Sequence, residues 1–182
     1  MSDTTQVRLS GFGGQGIVLA GMLLGQAGVL DGRFVTGSNS YGAQARGSGC
    51  KAEVVFSNGP IDFPHLITAD VLVAMSQGAY NQYAGDVRPD SGMILYDQGQ
   101  VRPQEDLLYN QIAVPASEQS LKKLKTTQTV NIVFLGALLS ITKIVSPPSM
   151  RKAIRLQVPE RFEKLNQEAL TIGIHLGRRT RG

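Results

Sequence analysis

Residues 6–30 read QVRLSGFGGQGIVLAGMLLGQAGVL. Val7–Leu9 is a short apolar lead into the cluster Gly11–Gly16, and Ile17–Leu30 is an apolar, Ala/Gly-containing stretch of helical length. That is the pattern of strand, glycine turn and helix. Gly11, Gly13 and Gly16 match G-x-G-x-x-G, a spacing that gains meaning only in such a context. Glycines let a backbone approach a ligand closely, and the N–H groups that open the next helix attract an anion. The same residues also serve as a tight turn with no ligand. No Lys-Ser/Thr pair follows, so this is not a P-loop. A dinucleotide site wants an acid at the far end of the second strand. Asp31 has the right separation but precedes that strand, which counts against NAD.

Outward from the turn, the chain alternates strands and helices. Phe34–Val35 reads as a second strand, followed by a long polar loop, TGSNSYGAQARGSG at 36–49. Lys51–Phe56 and the continuous apolar run Val71–Met75 are strands, the latter covered on both faces. Met93–Tyr96 and Ile112–Val114 follow. Pro64–Thr68 opens a short helix, and Ser76 caps another through about Tyr83. The expected fold is α/β: a Rossmann-like, largely parallel sheet with helices on both faces and a helical C-terminal third. In that third, Ser117–Lys125 is a basic helix. Thr129 caps an apolar helix, Val130–Val145, which Pro147-Pro148 stops. Ser149 caps Met150–Gln157. Pro159 opens a last helix from Glu160 to about Leu176, with Gly177 as its C-cap. The reading is one domain over 1–182, with residues 1–5 and 177–182 flexible.

Composition narrows the function. With 182 residues and 42% hydrophobic content the chain can bury a core of its own. The 21 glycines, about 11.5%, exceed the usual ~7%. Cys50 is the single cysteine, which excludes an internal disulfide framework and a cluster held by four cysteines, and fits a reducing cytoplasm. The N-terminus has no signal-peptide pattern, and the apolar run near 130–144 is too short and too interrupted for a bilayer. The net charge of +4 is uneven. Residues 1–120 carry −5 and residues 121–182 carry +9. The basic end, with Lys122, Lys123, Lys125, Arg151, Lys152 and Arg155, fits an acidic partner subunit or a solvated helix face. It lacks aromatic interleaving, so nucleic acid is not expected. His65 and His175 stand apart and give no metal pattern. Cys50 reads as a small buried residue, and Asp62, Asp70 and Asp97 as turn or cap residues.

GFGGQGIVLAGMLLGQA followed by SYGAQARGSGCKAEVVFSN resembles the gamma subunit, or gamma domain, of 2-oxoacid:ferredoxin oxidoreductases. ADVLVAM at 69–75, GMILYD at 92–97 and VNIVFLGALLSIT at 130–142 continue the resemblance, over about residues 6–176. The group includes pyruvate, 2-oxoglutarate, ketoisovalerate and indolepyruvate enzymes of anaerobic metabolism. The resemblance implies oxidative decarboxylation of a 2-oxoacid by a multisubunit complex, with acyl transfer to coenzyme A. It implies thiamine diphosphate, magnesium and iron–sulfur clusters in partner subunits only. Those partners are alpha and beta thiamine-binding subunits and a ferredoxin-like subunit or ferredoxin. The isolated chain is expected to be inactive, and a homodimer of it is allowed.

Under that resemblance this chain positions coenzyme A. The expected contacts are Gly11, Phe12, Gly13, Gly14, Gln15 and Gly16 in the first loop. Ser40, Tyr41, Gly42, Arg46 and Gly47 are expected in the second, with Arg46 as a planar charged fork for a phosphate, or else as half of an ion pair within or between subunits, and Tyr41 as a contact or as packing beneath the loop. No catalytic residue and no metal ligand is assigned to this chain. Two alternatives stay open: a structural interface subunit of the same complex, and a stand-alone NAD(P)-binding oxidoreductase.

Overall fold

The computed structural model describes residues 4–41, 49–107 and 109–180, with Tyr41 described by its backbone alone. Six strands form one sheet in the order β2-β3-β1-β4-β5-β6. They are β1 (Thr4–Phe12), β2 (Phe34–Tyr41), β3 (Gly49–Ser57), β4 (Val71–Ala74), β5 (Met93–Asp97) and β6 (Asn110–Val114). Only β3 runs against the others: it pairs antiparallel with both β1 and β2, while β1, β4, β5 and β6 pair in parallel. The largely parallel sheet expected from the sequence is present, with β3 as the exception.

The helices are α1 (Ile17–Leu30), α2 (Gln77–Tyr83), α3 (Ala116–Leu124), α4 (Val130–Thr142), α5 (Pro147–Gln157) and α6 (Glu160–Arg179). Pleat alternation sorts the strand residues to the two sides of the sheet. Val7, Leu9, Val71, Val73 and Leu95 join α1, α4, α5 and α6 in the larger core. Leu72, Ala74 and Ile94 join Tyr80 of α2 in a smaller one. α4 is apolar on every side, and every residue from Val130 to Ile141 is buried. That is the environment such a helix requires.

The second face of β1 and β3 carries a buried polar cluster. Arg8, 5% exposed, donates from Nε to Glu53 Oε1 at 2.9 Å and from Nη1 to Asp86 Oδ2 at 2.8 Å. Lys51 Nζ reaches the same Glu53 oxygen at 2.8 Å. Burial alone would raise the Glu53 pKa, but the hydrogen bonds and charges of Lys51 and Arg8 outweigh it and hold the carboxyl below its ordinary value.

Several element boundaries differ from the sequence reading. Residues 36–41 are not loop: they extend β2, paired from Phe34↔Ser57 to Tyr41↔Cys50. Pairing with β3 imposes extension on a Gly/Ser/Asn stretch of low strand propensity. Pro64–Thr68 forms no helix. Thr36 Oγ1 instead donates to the Pro64 carbonyl at 2.9 Å, tying the segment to β2. The apolar helix stops at Thr142, with Lys143 in the left-handed conformation at its end. Pro147 and Pro148 therefore open α5 rather than stop α4, and Ser146 is its cap in place of Ser149. Gly177 is no C-cap. It lies inside α6, packed on Ala137 and Ser140 of α4. Among the described residues, no helix is long and apolar enough to cross a membrane.

Candidate functional site at the glycine turn

The chain leaves β1 through α1 toward β2, and later crosses to β4 on the other side of β1. The strand order therefore reverses at β1. In open α/β sheets a crevice forms beyond the carboxyl ends of the strands at such a point. The glycine turn stands there. Register brings the second loop's ends to the same edge: Phe12 pairs with Gly49 and Gly11 with Cys50, while Tyr41 pairs with Cys50 from the other side. Gly42, Arg46 and Gly47, expected as contacts, lie outside the described residues.

The turn is held from within by Gln15. Its Oε1 accepts from the Phe12 N–H at 2.6 Å, and its Nε2 donates to the Met75 carbonyl at 3.2 Å, beyond the end of β4. A Cβ at Gly11 would collide with this amide. Gln15 thus builds the turn, and among the described residues one of its amide hydrogens has no acceptor. Gly16 adopts φ 70°, and its carbonyl accepts from Asn131 Nδ2 at 3.0 Å. Asn131 Oδ1 accepts from the Ile132 N–H at 3.0 Å. The heads of α1 and α4 are stapled together by this one buried amide.

Gly13 and Gly14 behave differently. A Cβ on either would meet nothing within 4 Å, and both are exposed. Gly14 requires glycine for another reason, its φ of 93°. Beneath them α1 begins with no side-chain cap and no acidic residue in its first turn. Its first N–H groups lack intrahelical acceptors and carry the positive end of the helix dipole. Phe12, 42% exposed, lies against Gly78 at the head of α2 and walls the other side.

The remaining expected residues separate. Ser40 is exposed on β2, opposite Lys51 in the register. By alternation it shares a face with Ser38, whose hydroxyl donates to Glu53 at 3.2 Å. Cys50 is buried, and burial pushes its thiol pKa up, as an inert packing residue requires. Asp97, fully buried, accepts from the Gly99 and Ser117 N–H groups and from the Ser117 hydroxyl, the cap role expected of it. Asp70 accepts from the Gln6 N–H and the Arg88 guanidinium. Asp31 ends α1, about 21 Å from its head at 1.5 Å per residue. There it accepts from the Ser146 N–H and hydroxyl and from the Ser149 hydroxyl. It holds the start of α5 and cannot reach a ribose at the glycine turn. Sequence reading missed Asn131. The available signal was a lone amide at the head of an otherwise apolar helix.

The fold and turn have relatives. The family model described as pyruvate ferredoxin/flavodoxin oxidoreductase matches residues 6–176. The 2-oxoglutarate synthase subunit KorC of Methanocaldococcus jannaschii is 42% identical over 178 residues, covering 95% of this chain and 94% of the relative. The solved gamma subunit of a keto/oxoacid ferredoxin oxidoreductase from Geobacter sulfurreducens superposes with a TM-score of 0.87. It is 32% identical, over 97% of this chain and 98% of that one. The same fold, at TM-score 0.87 and 24% identity, covers 98% of this chain but only 32% of the 2-oxoglutarate:ferredoxin oxidoreductase chain from Magnetococcus marinus. That enzyme was solved with 2-oxoglutarate, coenzyme A and succinyl-CoA bound.

Proposed function

The chain belongs to the pyruvate ferredoxin/flavodoxin oxidoreductase family, as a gamma-type subunit of a 2-oxoacid:ferredoxin oxidoreductase complex, and from that premise we propose that its glycine turn positions coenzyme A for acyl transfer. The observation that carries this reading is the open backbone of Gly13 and Gly14 above the uncapped, acid-free head of α1. Coenzyme A presents a pyrophosphate and a further phosphate. Backbone N–H groups at a helix head suit one of these anions, with glycine removing the side chains that would block approach. Arg46, which the sequence places between Tyr41 and Gly49, is the proposed partner for a second phosphate. Ser40 is proposed to add a polar contact from the end of β2.

The contribution of this chain is placement. Fixing the thiol end of the cofactor by its distant phosphates turns an encounter into a near-unimolecular step. Thiamine diphosphate, magnesium and iron–sulfur clusters are proposed to reside in the partner subunits. The relatives point to 2-oxoglutarate as the oxoacid of the assembled complex.

Gly13→Val in the assembled complex tests the site. A Cβ at Gly13 meets nothing within 4 Å among the described residues, so subunit content should stay intact while the KM for coenzyme A rises at least about tenfold. An unchanged KM refutes the glycine-turn assignment. Arg46→Ala should raise the same KM, and an unchanged value removes Arg46 from the site. Comparing 2-oxoglutarate with pyruvate and 2-ketoisovalerate as substrates tests the oxoacid, and a preference for either of the latter refutes it.

A further inference from the structure

The basic end of the chain lies largely on α3, α5 and α6. Between them lies an open groove of about 460 Å³. Each helix contributes a cation: Lys123 from α3, Arg151 from α5 and Lys164 from α6. Leu124 and Ile172 supply apolar lining, and Glu168 is the one carboxylate in it.

Arg151 is held in place but not neutralised. Its Nη1 donates to Gln167 Oε1 at 3.1 Å and to the Gln167 carbonyl at 3.5 Å, and its Nη2 donates to Thr171 Oγ1 at 2.9 Å. All three acceptors are uncharged, so the guanidinium keeps its full charge in a fixed orientation. Lys123 and Lys164 make no ion pair among the described residues. Among the described residues of these helices, the one ion pair is Arg155–Glu163, outside the groove lining. The same three helices expose Leu121, Leu156 and Phe162. A groove that joins the apolar lining of Leu124 and Ile172 to three cations suits a protein segment better than a small anion, which would leave that lining wet.

We propose that the α3–α5–α6 groove docks an acidic, amphipathic segment of a partner subunit in the oxidoreductase complex. The inference rests on the chain being a subunit of such a complex, but not on the coenzyme A reading of the glycine turn. Carboxylates of the segment would meet Lys123, Arg151 and Lys164, while its apolar side covers Leu124 and Ile172. Glu168 sets the register by repelling any carboxylate brought opposite it. A positive layer on this chain and a negative segment on the partner also speed their encounter, and make assembly salt-dependent.

The test uses the assembled complex, treated with a carbodiimide that joins lysine amines to carboxylates in direct contact. Cross-links from Lys123 and Lys164 to Asp or Glu of a partner subunit are expected. So is about tenfold weaker assembly of the K123E/K164E variant, with the weakening reduced at high salt. Cross-links that stay within this chain, or that run to a second copy of it, overturn the proposal. So does wild-type assembly of K123E/K164E. Should the charge-reversed variant fold poorly, K123Q/K164Q provides the same comparison, and the cross-link map needs no variant. Loss of coenzyme A binding in Gly13→Val with these cross-links intact separates the two readings.

Discussion

Two regions of this molecule depend on glycine for opposite reasons. At the turn, a Cβ on Gly13 or Gly14 would meet nothing within 4 Å among the described residues. At the contact of α4 with α6 there is no space at all. A Cβ on Gly173 would overlap the Val133 carbonyl, and one on Gly136 the Leu170 carbonyl. The two helices meet backbone to backbone across these positions, and Gly177 continues the contact one turn on. Glycine in the second region is required by what surrounds it. In the first, the path of the turn requires it at Gly14, and the proposed approach of coenzyme A would require it at Gly13.

The sharpest break of this comparison is Gly173→Leu, which must push α6 away from α4. A loss of at least about 3 kcal/mol in unfolding free energy is expected, measured by denaturant titration. Gly16 lies between the two cases, since it is at the turn yet packed on Asn131. Gly16→Ala forces a left-handed alanine against that amide and should cost about 2 kcal/mol by the same measurement.

Acid titration addresses a part of the structure independent of both glycine regions. The Glu53 carboxyl is held below the unfolded value of 4.5, so the charged form stabilises the fold at neutral pH. That stabilisation is fully present above 4.5 and is lost as pH falls through the folded value. Asp31 behaves likewise below 3.8. Its slight burial is outweighed by the bonds from Ser149 and Ser146 and by the charge of Arg33. The thermal midpoint should fall below about pH 4.5, and Glu53→Gln should flatten that fall. Equal slopes in both proteins would remove Glu53 as its source.

The smallest stability effect belongs to Gly13→Ala, under about 0.5 kcal/mol, because the added methyl meets nothing. Its effect is expected on coenzyme A affinity in the complex instead. A large stability loss there would show that Gly13 belongs with Gly173.

Much of the fold was legible from the chain itself. The strand, turn and helix of residues 4–30 follow from local pattern, as does the buried α4 from its unbroken apolar run. The strand at 36–41 was not legible, because Thr, Gly, Ser and Asn carry a loop composition and only the β3 register extends them. Gly177 carries the ordinary signal of a helix end, but the helix continues because α4 leaves a gap there that only glycine fills. Within the candidate site, Gly13 and Gly14 were legible as open backbone. The work of Gln15 was not, since its partners Phe12 and Met75 lie 3 and 60 residues away.

What the sequence determined by itself is periodicity and composition: which segments are apolar, where turns fall, and that the charges divide into an acidic first part and a basic end. Those are local properties, set by neighbours a few residues apart. Tertiary structure alone decided which glycines are crowded and which are open, and that Asp31 holds α5 rather than facing a ligand. It also decided that Lys123, Arg151 and Lys164 converge from three helices. Each of these depends on distances between residues far apart in the chain, and only packing fixes such distances.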